Sequence, residues 1–146
     1  WNADHWKAEG ERFAGLLFDT LSGPGVTARI FLLGGDVHVA TCGEIVSTDH
    51  PNVSPIPQFT SSAISNKPTG VNKLIKSGKV FDLFGNTSPF RGSLPTVIAK
   101  RNFGVVRLTT GDDGRYKVKF EVHYQAEDEP EVLYNDGVLI QPKLIR

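Results

Sequence analysis

Gly34-Gly35-Asp36-Val37-His38 follows the apolar run Ala28-Arg29-Ile30-Phe31-Leu32-Leu33 and sets a carboxylate and an imidazole two residues apart. In an extended chain successive side chains alternate, so Asp36 and His38 face one side and Val37 the other. Two residues of rise separate the pair by roughly 6–7 Å at the backbone, which lets them grip one cation or hold one each of two metals about 3.5–4 Å apart. The competing reading is structural: an aspartate after Gly-Gly is commonly a turn or helix-cap residue.

Other reactive side chains carry less. Ser61 and Ser62, taken with His38 and Asp36, suggest a serine hydrolase, yet neither serine sits in the Gly-x-Ser-x-Gly elbow that exposes a nucleophile. Cys42 lies in an apolar stretch and reads as a small core residue rather than a thiolate ligand. His123 sits among charges and is expected to be solvated, as is the acidic stretch Glu127-Asp128-Glu129-Pro130-Glu131.

The elements that must position these residues follow from periodicity. Trp6, Phe13, Leu16, Leu17 and Leu21 form a stripe opposite Lys7, Glu11, Arg12 and Asp19, which predicts a one-sided helix capped near Asp4 and ended by Gly23-Pro24-Gly25. The run into Leu33 is apolar almost throughout, the pattern of a central strand covered on both faces, with ligands expected beyond its carboxyl end. Val39 to Val46 predicts a second strand with a bulge at Gly43, and Gln58 to Ile64 a short third. Asp49–Pro57 and 85–96 read as loops, and Val71 to Lys76 as weakly helical.

The C-terminal third changes period. Tyr116, Val118, Phe120, Val122 and Tyr124 alternate with charged residues, as a half-buried antiparallel strand requires, and Gly111-Asp112-Asp113-Gly114 turns it back on Phe103 to Thr109. Asn135-Asp136-Gly137 predicts a second hairpin between Val132–Tyr134 and Val138–Ile140.

Composition bounds the partners. With 146 residues the chain fits one domain or a piece of one, and 39% apolar content suffices for a core. Sixteen Lys and Arg balance sixteen Asp and Glu, so no net field favours nucleic acid or an anionic membrane, and no run reaches the length of a membrane span. A single cysteine excludes an internal disulfide framework and suits a reducing compartment such as the cytoplasm, while a secretion signal could have been lost ahead of Trp1.

Several segments together carry a resemblance. Trp1-Asn2-Ala3-Asp4-His5-Trp6 and Glu11-Arg12-Phe13 are followed by Gly-Asp-Val-His, then Gln58-Phe59-Thr60-Ser61-Ser62-Ala63-Ile64-Ser65-Asn66, then Arg101-Asn102-Phe103-Gly104 before a closing hairpin. From Trp1 to about Phe120 this succession resembles the C-terminal half of PhoD-like metallophosphatases, in the calcineurin-like phosphoesterase superfamily. The resemblance implies an α/β (α+β) fold in which residues 1–146 are the C-terminal portion of a metallophosphatase domain: part of a β-sandwich flanked by helices, with antiparallel hairpins at the C-terminus. It implies that Asp36 and His38 are metal ligands, and that Thr60, Ser61, Ser62 and Asn66 touch substrate or support those ligands.

The implied activity is hydrolysis of phosphate esters by two divalent or trivalent metal ions, of iron, manganese, zinc or calcium. Such ions bind phosphoryl oxygens and lower the pKa of a bridging water. Arg101 could neutralise a phosphate, although an arginine before a strand is ordinarily a surface residue. The family's earlier motifs, Gly-Asp-x-x-Asp and Gly-Asn-His-Asp, do not occur in this chain. The resemblance therefore makes the N-terminal half of the same protein a required partner and the isolated segment a poor catalyst, with no catalytic residue of its own assigned. The alternative is a non-catalytic β-rich interaction module or a degenerate phosphatase.

Overall fold

The computed structural model describes residues 4–35, 39–61, 79–124, 131–135 and 138–139. These form a mixed α/β structure with one helix, α1 (Asp4–Ser22), and two sheets. The first sheet contains β1 (Leu32–Gly34), β2 (Ala40–Ser47), β3 (Ile56–Thr60), β4 (Lys79–Asp82) and β5 (Phe90–Ile98), in the order β1-β3-β2-β5-β4. The second contains β6 (Asn102–Thr110), β7 (Tyr116–Tyr124), β8 (Glu131–Asn135) and β9 (Val138–Leu139), in sequence order. Every pairing is antiparallel except β1 with β3.

The helix ends where Gly23-Pro24-Gly25 requires, with Gly25 in the left-handed region at φ 76°. Its buried face keeps only Leu17 and Leu21 of the expected stripe, both half-buried against the first sheet's cluster. Gly10, Ala14 and Phe18, spaced by four, are buried, whereas Trp6, Phe13 and Leu16 are exposed. Ala14 and Phe18 pack in one cluster with Ile45, Ile56 and Phe90 of the first sheet.

The opposite face of the first sheet presents Ala40, Cys42, Phe59 and Ile98, which pack on Phe120 and Val122 of the second sheet. Ile56 and Phe59, three apart on β3, serve opposite layers as strand alternation demands. Phe59 and Phe120 stack with ring centroids 4.4 Å apart and form the main aromatic joint between the sheets. The layers are therefore helix, sheet, sheet.

Three expectations are corrected. The apolar run before Asp36 is not a central strand: only Leu32–Gly34 pair, β1 lies at the sheet edge, and Leu33 is 62% exposed. Residues 85–96 are not all loop, because β5 begins at Phe90 and pairs along β2 and β4 despite Gly92, Ser93 and Pro95. The bulge at Gly43 exists, but the extra residue is on β5. Cys42 faces Thr96 and Glu44 faces Ser93, so two steps on β2 answer three on β5, and Pro95 falls in the bulge where a missing N–H is tolerated. Gly43 opposes it closely: a Cβ there would collide with the Ser93 carbonyl oxygen and lie 2.9 Å from Leu94.

The first C-terminal hairpin forms as predicted, and β8 pairs with β9 as the second requires, with residues 136–137 and 140 outside the described residues. Gly111 N–H donates to the Arg115 carbonyl at 2.7 Å, Gly114 adopts φ 75°, and β6 and β7 then pair through nine residues without a break. The expected helix at 71–76, the strand residues Ser62–Ile64 and the acids 127–130 lie outside the described residues.

Candidate functional site

Parallel pairing of β1 with β3 brings two carboxyl ends together. Gly34 is in register with Thr60, and Ser61 N–H donates to the Gly34 carbonyl at 3.2 Å. On the far side of β3, Thr60 is in register with Thr41 of β2. The chain thus leaves β1 at Gly35 on one side of Thr60 and returns at Val39-Ala40 on the other. Asp36 and His38 belong to that connection and lie outside the described residues, as do Ser62 and Asn66.

Thr60 and Ser61 are described, and the structure brings them to this end. Thr60 is buried, with its Oγ1 3.5 Å from where a Cβ on Gly34 would stand. Ser61 Oγ donates to Asn102 Oδ1 at 2.7 Å, and Asn102 Nδ2 donates to the Lys100 carbonyl at 2.8 Å. Asn102 is 2% exposed, so both ends of its amide are satisfied inside the protein. Gly104 keeps this corner tight: a Cβ there would stand 2.9 Å from the Phe120 ring and 3.0 Å from Ser61 Cβ.

Asn102 has no role of its own in the sequence reading, although a signal exists. Asn102, Gly104, Val106 and Leu108 share one face of β6, and a polar side chain in an otherwise apolar row needs a buried partner. Arg101, expected at the surface, is half-buried, and its Nε is shielded from solvent with no hydrogen-bond partner.

The remaining reactive groups are structural. Cys42 is 1% exposed, and burial, aided by nearby Glu44, pushes its thiol up to about 12, far from a metal-binding thiolate. His123 is not simply solvated: its ring stacks on Phe103 at 4.7 Å, with Nε2 buried 3.7 Å from Glu121. Glu121 is itself buried on the outer face of the second sheet, held by Lys119 at 2.8 Å and Arg107 at 3.0 Å. The hydrogen bond from Lys119 leads in lowering its pKa below the usual carboxylate value, against desolvation and with help from Arg107.

A second cluster has the distances of a hydrolase triad. His50 Nδ1 lies 3.3 Å from Ser47 Oγ, and His50 Nε2 lies 3.0 Å from Asp19 Oδ1. Its burial order is reversed. A nucleophile must be open and its acid sheltered, but Ser47 is 7% exposed while the Asp19 side chain is 72% exposed. The row ties α1 to the end of β2, with the His50 ring against Phe18. A cleft of about 350 Å³, lined by Leu21, Arg29, Ile30, Val53 and Ile56 among others, lies at the other end of β1 and β3. Four residues of strand, roughly 13 Å, separate Ile56 from Thr60.

Among the described residues no group of three His, Cys, Asp or Glu could hold a metal ion. The described donors at the β1–β3 end are two hydroxyls and an amide already satisfied, which suit support of a ligand but do not form a coordination sphere by themselves. No helix among them is long and apolar enough to cross a membrane. Comparison with protein-family models, curated proteins and solved structures finds no match to this chain.

Proposed function

We propose that this chain supplies one edge of a metal-dependent phosphoesterase centre, as the C-terminal portion of a PhoD-like domain in a calcineurin-like sandwich. Asp36 and His38 are the metal ligands in this reading, Thr60, Ser61, Ser62 and Asn66 support them or touch substrate, and the N-terminal half of the domain provides the other ligands. The observation that supports it is the Gly34–Thr60 register, by which the chain leaves β1 on one side of Thr60 and enters β2 on the other. Arg101, one residue from the Asn102 that holds Ser61, would add a cation suited to a phosphoryl oxygen.

Bound metal would supply Lewis acidity and an acidified water. The residues of this chain would do simpler work. The aspartate brings charge, the histidine a neutral nitrogen, and the Ser61–Asn102–Lys100 row fixes one wall so that neighbouring groups keep their geometry. The isolated chain turns over phosphate esters poorly in this reading, because most of the coordination sphere is absent.

Titration with manganese, read by loss of the free-ion electron paramagnetic resonance signal, tests the assignment. Binding weakened at least tenfold by both Asp36→Asn and His38→Ala, with circular dichroism unchanged, supports it. Equal binding by the double variant Asp36→Asn/His38→Ala rejects it. Arg101→Ala should separately weaken inorganic phosphate binding to the manganese-loaded chain.

A further inference from the structure

Four strands end the two sheets, and one differs from the rest. β1, β4 and β9 have three, four and two residues, short enough to offer little template for pairing. β6 has nine, pairs with β7 in unbroken register, and carries no proline, no bulge and one charge, Arg107. Its other edge has no partner among the described residues. Gly111 N–H points at β7, so alternation turns the N–H and C=O groups of Thr110, Leu108, Val106 and Gly104 outward.

The distal half of β6 is also bare on its inner face. The first sheet covers Phe120 and Val122 but stops short of the hairpin tip, leaving Val106 42%, Leu108 67% and Tyr116 80% exposed. The charges lie on the other face, where Arg107 is already neutralised by Glu121 at 3.0 Å. Near Asn102 and Gly104 the strand is crowded by Ser61, so Val106–Thr110 is the stretch open to a partner.

We propose that β6 is the pairing edge of a homodimer, in which Val106–Thr110 of two copies run antiparallel about a twofold axis at Leu108. That register places outward-facing residues opposite one another: Leu108 against Leu108 of the second copy, and Val106 against its Thr110. Arg107 then faces Thr109, so no like charges meet. The inner face becomes one row of Val118, Leu108 and the same two residues of the second copy, flanked by Phe120, Val106 and Tyr116 from each. A second copy satisfies both the backbone edge and the apolar strip, and the second sheet continues through eight strands.

Sedimentation of the full chain over a hundredfold concentration range tests this. Expected is a species of twice 16.0 kDa that Leu108→Lys, which sets two ammonium groups face to face, weakens at least tenfold while far-UV circular dichroism stays unchanged. Oxidation should cross-link Leu108→Cys, whose Cα atoms would stand about 5.5 Å apart, within disulfide range. Val80→Cys, equally exposed on β4, should stay uncrosslinked. A monomer at every concentration, a Leu108→Lys dimer as tight as the parent, or equal cross-linking at both positions overturns the proposal.

Discussion

Asn102 is the bond that ties the second sheet to the end of β3, and removing it should be measurable in two ways. Asn102→Ala deletes the acceptor of Ser61 Oγ and the donor to the Lys100 carbonyl, and empties space that is 2% exposed. A net hydrogen bond contributes about 1 kcal/mol, and a buried group left unpaired costs about 1–3 kcal/mol, so a loss of about 2–3 kcal/mol is expected. At about 3–4 °C per kcal/mol for a domain of this size, the melting midpoint should fall by about 6–12 °C. Ser61→Ala alone should cost about 1–3 kcal/mol, because it strips the buried Asn102 Oδ1 of its donor.

Urea unfolding followed by tryptophan fluorescence closes the cycle. Single variants and the double variant should show a coupling of about 0.5–1.5 kcal/mol, the signature of two side chains that act on each other. Asn102→Asp should not rescue stability, since it keeps an acceptor for Ser61 but turns a carboxylate oxygen toward the Lys100 carbonyl. Additivity within about 0.3 kcal/mol, or a stable Asn102→Asp protein, would refute the bridging role of this amide.

Other outcomes follow from the same geometry. Cys42, with a thiol pushed up to about 12, should resist disulfide reagents at pH 8 until the protein unfolds. Because the unfolded thiol titrates near 9.0 and the native one does not, its contribution to stability is complete below pH 9 and declines above it, so Cys42→Ser should flatten the alkaline limb of a pH–stability curve. Gly43→Ala should destabilise by about 1–3 kcal/mol in urea titrations, since its methyl meets the Ser93 backbone rather than a flexible side chain. Glu121 has a lowered native pKa, so its support is present above pH 4.5 and lost as pH falls through the native value. Glu121→Gln should lower the melting midpoint at neutral pH and bring the two proteins together in acid, where a scan of midpoint against pH checks it.

Much of the fold was legible where local chemistry and tertiary demand agree. The Gly111–Gly114 turn and the alternation from Tyr116 onward specify a hairpin whatever lies beside it, and Cys42 reads correctly as core. The strand at Phe90 was hidden because its glycine, serine and proline serve a bulge, a feature defined by the partner strand. The run before Asp36 misleads in the opposite direction: Ile30 and Leu32 do reach the cluster under α1 and Phe31 the one under β7, but from a sheet edge where only Leu32–Gly34 pair. At the carboxyl end of β3, Thr60 and Ser61 meet Gly34 through parallel pairing, a neighbourhood no local pattern in the sequence specifies. Asn102 escaped because its partner is 41 residues away, beyond the reach of any local pattern.

The inserted residue in β5 has an effect on layering. Phe90 and Ile98 are eight positions apart and in a regular strand would look the same way, yet Phe90 belongs to the cluster under α1 and Ile98 to the cluster under β7. One surplus residue inverts the parity, letting a single strand hand its apolar side chains from the helical layer to the second sheet midway along its length. A deletion of Pro95 would thus do more than shorten a strand: it would force every side chain beyond that point to change sides, breaking one hydrophobic cluster whichever way the strand settled.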